Sequence, residues 1–158
     1  MANWPKQSQC LKMFGNPATP GWGKANISRV TTPFPLHMGE ILIPAIKINK
    51  IAVASLRKVL QTVWDECGRD LKKVHAEHAD CFSGDWVIRQ ARGLSMTSMH
   101  AYGLAVDFDA PNNPLGARST FFTPKSLLVR AFESEGWIWG GRWTGRRDAM
   151  HFQAAIVD

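Results

Sequence analysis

The stretch Ser95-Met-Thr-Ser-Met-His100-Ala-Tyr-Gly103-Leu-Ala-Val-Asp107-Phe-Asp109 decides how the rest of the chain is read. Leu104, Val106 and Phe108 alternate with Ala105, Asp107 and Asp109, and a period of two predicts a strand whose successive side chains point to opposite faces. Asp107 and Asp109 then share one face, with the His100 imidazole upstream and Gly103 between. A second imidazole stands far downstream, in Asp148-Ala-Met-His151. Two imidazoles and one carboxylate form a donor set for a zinc ion that keeps a fourth position open to water.

Working outward, the 158 residues suit one domain, with 45% hydrophobic and 20% charged residues as in ordinary globular proteins. Of the seven Trp, most are expected in the core, since Trp is well buried on average. The net charge of +6 favours an anionic partner: nucleic acid, an anionic membrane or bacterial cell wall. The basic residues are scattered, and the densest set is Arg142, Arg146 and Arg147. Three Cys, at 10, 67 and 81, form no zinc-finger spacing, and the odd count argues against a complete disulfide framework. The N-terminus lacks the basic-then-apolar pattern of a signal peptide, and no stretch reaches the ~20 apolar residues of a membrane span. Synthesis in a cytoplasm, with release by another agent, is the expectation.

Residues 1–28, rich in Pro and Gly, predict an irregular segment with a short helix around Gln7 to Phe14. Arg29 to Pro35 reads as an edge strand, and Ile41 to Ile48 as extended structure broken at Pro44. Ala52 to Cys67 is a helix, with Val53, Leu56, Val59, Leu60, Val63 and Trp64 at three- and four-residue spacing. A shorter helix is expected within 69–81; its His75 and His78 could share a face, but that motif supplies no Cys or carboxylate partner, and both are assigned to the surface. Trp86 to Gln90 reads as a strand, 110–116 as a loop, and Thr123-Pro124 as a helix start running to Gly136. Trp137 to Trp139 is a short strand, Gly140 to Gly145 a tight loop and Met150 to Val157 a closing strand. Helices bracketing short strands without regular alternation predict an α+β fold, a small antiparallel sheet flanked by helices.

The chemistry follows from the spacing. His100 and Asp107 lie seven residues apart, within reach of one ion, and His151 arrives from the closing strand beside the central one. Asp148 can hang over the open face as a general base or, more plainly, cap a turn. Arg89 and Arg92 are candidates for a substrate carboxylate or an oxyanion. Asp109 is open as a ligand in place of Asp107 or as a partner orienting His100.

Taken together, Ser98-x-His100-x-x-Gly103-x-Ala105-x-Asp107, Trp139-Gly-Gly and Asp148-x-x-His151-Phe resemble the zinc D-alanyl-D-alanine carboxypeptidase family. More narrowly they resemble its phage endolysin branch of L-alanyl-D-glutamate endopeptidases. The resemblance spans roughly Phe34 to Gln153 within a single domain of 1–158. It implies a hedgehog/D-Ala-D-Ala-peptidase-like fold and one zinc ion per chain on His100, Asp107 and His151. It implies Asp148 as the base and Arg89, with Arg92 second, as substrate contacts; Ser98 lines the site, Trp139 joins the substrate-binding set, and Asp109 falls back to structure. The implied substrate is the peptidoglycan stem peptide, cut at L-Ala–D-Glu by a monomer that neither inserts into membranes nor binds nucleic acid. Alternatives are a D-Ala-D-Ala carboxypeptidase or dipeptidase, and a non-catalytic zinc-containing wall-binding domain.

Overall fold

A computed structural model describes residues 3–88 and 97–158; Arg89, Arg92 and the end of the strand expected at 86–90 lie outside the described residues. The architecture is α+β. The described strands and helices run α1 (Cys10–Phe14), α2 (Trp22–Asn26), β1 (Ile27–Val30), β2 (Leu36–Met38), β3 (Ile41–Ile43), β4 (Ile46–Asn49), α3 (Val53–Glu66), α4 (Leu71–Ala76), β5 (Phe82–Gly84), β6 (Ala105–Phe108), α5 (Leu127–Ser134), β7 (Ile138–Trp139) and β8 (His151–Gln153). The principal sheet is antiparallel in the order β5-β6-β8-β7, with β1-β4 and β2-β3 as separate two-stranded ribbons. No helix among the described residues is long and apolar enough to cross a membrane.

Helix α3 forms where the apolar spacing predicts, because Leu56, Val59, Leu60 and Val63 fall on one face and bury it. Full burial of each such side chain contributes about 1.5–3 kcal/mol. Strand β8 enters the same core through Phe152, which stacks on Phe132 of α5 at 4.4 Å and meets Phe108 of β6 edge-on at 6.1 Å. Four Trp are buried, at 4, 22, 137 and 139. The indole N–H of Trp137 donates to the Ser55 hydroxyl at 2.9 Å, tying the helix layer to the sheet.

Four expectations are revised. The edge strand expected at 29–35 is β1 at Ile27–Val30, and residues 31–35 are irregular. The strand expected at 86–90 is displaced: β5 occupies Phe82–Gly84, and residues 85–88 are irregular. Phe82 meets Phe108 edge-on at 5.3 Å, while Trp86 lies against Gly23, stacks on Trp22 and donates its indole N–H to the Ala101 carbonyl. The helix expected from Thr123 begins at Leu127. A turn precedes it, in which the Thr123 amide donates to the Ser126 hydroxyl, and Ser126 takes the N-cap position. Finally, α2 forms inside the segment read as irregular; five residues are too few to display a helical period.

Gly103 sits where the loop carrying His100 turns into β6, at φ 67°. Its carbonyl accepts the Asn49 amide at 2.7 Å, and a Cβ there would strike the Ile27 side chain and lie 2.9 Å from the Asn49 nitrogen. Both the left-handed backbone and the close approach require glycine. Gly103→Ala is expected to destabilise the fold by on the order of 2–4 kcal/mol, measured by chemical denaturation; a change below 0.5 kcal/mol would mean the loop tolerates the extra atom.

Candidate metal centre

Strands β6 and β8 pair with Asp107 directly opposite His151. Opposed residues in an antiparallel pair project to the same face, so this register sets carboxylate and imidazole side by side. The turn from Ser98 to Gly103 delivers His100 to the same point. The Ser98 hydroxyl accepts the His100 amide at 3.2 Å, and the Gly103 amide donates to the His100 carbonyl at 3.0 Å. Ser98 is buried and shapes this turn.

The donor atoms of His100, Asp107 and His151 lie within 4.8 Å of one another. His100 Nε2 is 3.2 Å from one Asp107 oxygen, and His151 Nδ1 is 3.1 Å from the other. A tetrahedral ion with bonds of about 2.1 Å sets its donors roughly 3.4 Å apart. Both imidazoles are almost fully buried.

The outer partners fix which nitrogen faces inward. His100 Nδ1 is 2.9 Å from the Asp85 carbonyl, which only accepts, so Nδ1 carries the hydrogen and Nε2 turns its lone pair toward Asp107. Nε2 is buried and satisfied by no hydrogen bond, despite its 3.2 Å approach to the carboxylate. At His151 the reasoning takes one more step. The Gln153 amide nitrogen donates to the Ala155 carbonyl at 2.8 Å and to Gln7 Oε1 at 2.7 Å, so the amide oxygen faces His151 Nε2 at 2.9 Å. Nε2 therefore carries the hydrogen, and Nδ1 turns its lone pair toward Asp107. Two imidazole lone pairs and a carboxylate converge on one point, which only a proton or a cation relieves. The residues fit a metal ion.

Titration agrees with that reading. Burial alone would raise the Asp107 carboxyl, but its contacts with His100 and His151 outweigh this and hold it far below the usual carboxylate range. Burial would lower His151, but hydrogen bonding and charge from Asp107, the charge of Asp148 and the Gln153 contact together raise it.

Asp148 sits in the turn entering β8. Its amide donates to the Gly140 carbonyl at 2.9 Å, its carbonyl accepts the His151 amide at 3.2 Å, and a Cβ at Gly140 would strike that carbonyl. The glycine after Trp139 thus lets the two segments touch. Arg147 secures the loop by donating to the carbonyls of Gly141 and Ala117 and to the Thr120 hydroxyl. Trp139 is only 1% exposed and donates its indole N–H to the Ala149 carbonyl at 2.8 Å; it supports the Asp148 turn from the core side. Trp143, partly exposed, lies 5.4 Å from the His151 ring and is the aromatic side chain at the site that sequence reading passed over. Asp109 points elsewhere, to His78 and Asn112.

Two imidazoles and a carboxylate around one point form a donor set that could hold a divalent metal ion. Residues 92–154 match the family model described as D-alanyl-D-alanine carboxypeptidase, a segment that contains His100, Asp107, Asp148 and His151. The match supports a metallopeptidase. No curated protein and no solved structure matches the chain.

Replacing Gln153 by Leu leaves the His151 Nε2–H without its acceptor and frees the ring to turn. Metal affinity is expected to fall roughly 10–100-fold, read by competition with a chromophoric chelator; unchanged affinity would remove Gln153 from the support of the site. The proton on His151 must also leave before a metal enters. Because that proton is held more tightly than at the ordinary value of 6.5, affinity should begin to fall, as pH drops, from a point above 6.5.

Proposed function

We propose that this protein is a zinc-dependent peptidoglycan peptidase that hydrolyses the L-Ala–D-Glu bond of the stem peptide in the manner of a phage endolysin. The observation that carries the metallopeptidase part is the tautomer argument: each histidine has one nitrogen committed to an outer acceptor and the other turned on Asp107. Zinc suits that donor set of two neutral imidazole nitrogens and a carboxylate.

In this reading His100, Asp107 and His151 hold the ion. A zinc ion bound there supplies Lewis acidity and brings the pKa of a water down toward 7. Asp148, on the turn next to His151, takes the proton of the attacking water and returns it to the leaving amine. Burial of both imidazoles excludes bulk water from their side of the site. Trp143 forms a wall against which a stem peptide lies. Arg89, with Arg92 as the second candidate, is assigned to the substrate carboxylate, since the stem peptide is anionic at D-Glu and a guanidinium presents a fixed fork of donors. The net charge of +6 favours approach to an anionic wall.

A second reading, trimming of the terminal D-Ala, is favoured by the description of the matching family. Mass spectrometry of purified peptidoglycan digested by the zinc-loaded protein separates the two. New free amino groups on D-Glu, absent with chelator and in His151→Ala, are the expected result. Release of terminal D-Ala would replace the endopeptidase reading with the carboxypeptidase one, and no cleavage by a folded, zinc-loaded protein would leave a wall-binding domain. Asp148→Asn is expected to lower turnover by roughly 10²–10⁴-fold while zinc stays bound; full activity in that variant would assign the base elsewhere.

A further inference from the structure

We propose a second metal site, for zinc or a similar borderline-soft divalent ion, on His78, Cys81 and Asp109, where the start of β5 meets the end of β6. The metallopeptidase reading has no use for these three side chains. Their donor atoms lie within 4.8 Å of one another, and a neighbouring trio of His75, Asp80 and Cys81 shares the same thiol. The pair His75 and His78 holds no Cys or carboxylate of its own, but Asp80 and Cys81 follow within three residues of His78. The turn after α4 folds them back toward the imidazoles, and the end of β6 adds Asp109.

That turn is closed by the Cys81 amide donating to the His78 carbonyl at 3.3 Å. The Asp109 amide in turn donates to the Cys81 carbonyl at 2.8 Å, so the end of β6 is locked against the turn. His78 and Asp109 both hold left-handed backbones, at φ 55° and 46°, without being glycine. The two side chains meet at 2.6 Å. The His78 ring is also held in plane, stacked on Phe121 with centroids 3.5 Å apart and an interplanar angle of 3°. Asp109 is buried, and Asn112 donates to its carboxylate. Imidazole, carboxylate and thiol are therefore gathered at one place, and an ion would replace the 2.6 Å contact between His78 and Asp109.

The donor chemistry selects the ion. A thiolate beside imidazole and carboxylate suits zinc, whereas calcium and magnesium take oxygen donors. The thiol proton is released to solvent as the sulfur–metal bond forms. Asp80, whose carboxylate is 3.5 Å from the Cys81 sulfur, stands next to the ion as a further oxygen donor or as the acceptor for a water on it. An ion here staples the turn after α4 to the end of β6, two residues beyond Asp107, and so braces the strand that carries the first site.

The test counts metals and identifies the sulfur. The whole chain is loaded with zinc and weighed by native mass spectrometry, then loaded with cobalt(II) and examined for thiolate-to-cobalt charge transfer in the near ultraviolet. Two zinc ions per chain are expected in the unaltered protein, and one each in Cys81→Ser, His78→Ala and His151→Ala. The charge-transfer band should persist in His151→Ala and His75→Ala and vanish in Cys81→Ser and His78→Ala, with circular dichroism showing all four variants folded. Because only the second site contains sulfur, the band reports on it even if the first site binds nothing. One zinc per chain and no thiolate band would overturn the proposal. So would a band that survives His78→Ala but is lost in His75→Ala, since the ion would then belong to the outer trio.

Discussion

The register of β6 against β8 is the constraint from which the rest of the molecule follows. Strand side chains alternate between faces, so a slip of one residue would turn Asp107 or His151 to the wrong side and separate them by the thickness of the sheet. The contacts of Asp107 with His100 and His151 favour this register, but three residues do not enforce it alone. The enforcement comes from the hydrophobic pattern. Val106 opposite Phe152 and Ala105 opposite Gln153 fill the pairs beside Asp107 and His151, and Phe152 is gripped by Phe108, Phe122 and Phe132. The core thus bears the cost of holding the polar centre in place.

That division of labour explains what could be read from the chain. The three- and four-residue spacing of α3 recurs over 14 residues and the helix is found, while the shorter alternation at 104–109 yields a strand over Ala105–Phe108 that ends where Asp109 turns left-handed. Of the three residues that converge, Asp107 sits on a strand with a readable alternation, whereas His100 lies in a turn and His151 opens a three-residue strand, so their meeting was legible from the motifs rather than from periodicity. Within the strand expected at 86–90, the described residues 86–88 are irregular for a physical reason. Val87 and Ile88 have strand-like propensity, but Trp86 finds better packing against Gly23 and Trp22 than in a ladder, and Phe82 takes the place beside Phe108. Tertiary packing outweighs local propensity there.

The outer support of the histidines was invisible for a different reason. The acceptor for His100 is a backbone carbonyl, at Asp85, which any residue type supplies. The acceptor for His151 is Gln153, which looks from the sequence like one more polar residue of a strand end. Only the donation of its amide to Ala155 and Gln7 reveals which way it points. By contrast His75, His78, Asp80 and Cys81 lie close together in the chain, and what the sequence hides is the remote Asp109, which meets them only because the turn after α4 and the end of β6 come together in space.

The N-terminal segment illustrates how far that support extends. It has the weakest periodicity in the chain, yet it touches both arms of the centre. Gln7 meets Gln153, which orients His151, and the Cys10 sulfur lies 3.9 Å from the sulfur of Met99, next to His100. The same segment is strapped to the C-terminus: Pro5 accepts the Ile156 amide, Gln7 donates to the Ile156 carbonyl, and Ser8 donates to the Asp158 carboxylate. Trp4 closes the strap by packing edge-on against Trp137 at 5.8 Å. Local opening of this strap would therefore loosen both histidines at once without unfolding the sheet between them. Strap opening has its own free energy, smaller than that of global unfolding, as terminal segments generally do. The closure of the strap thus adds to the hold that the core has on the centre, and a metal ion bound at the centre would in return stabilise that closure through linkage.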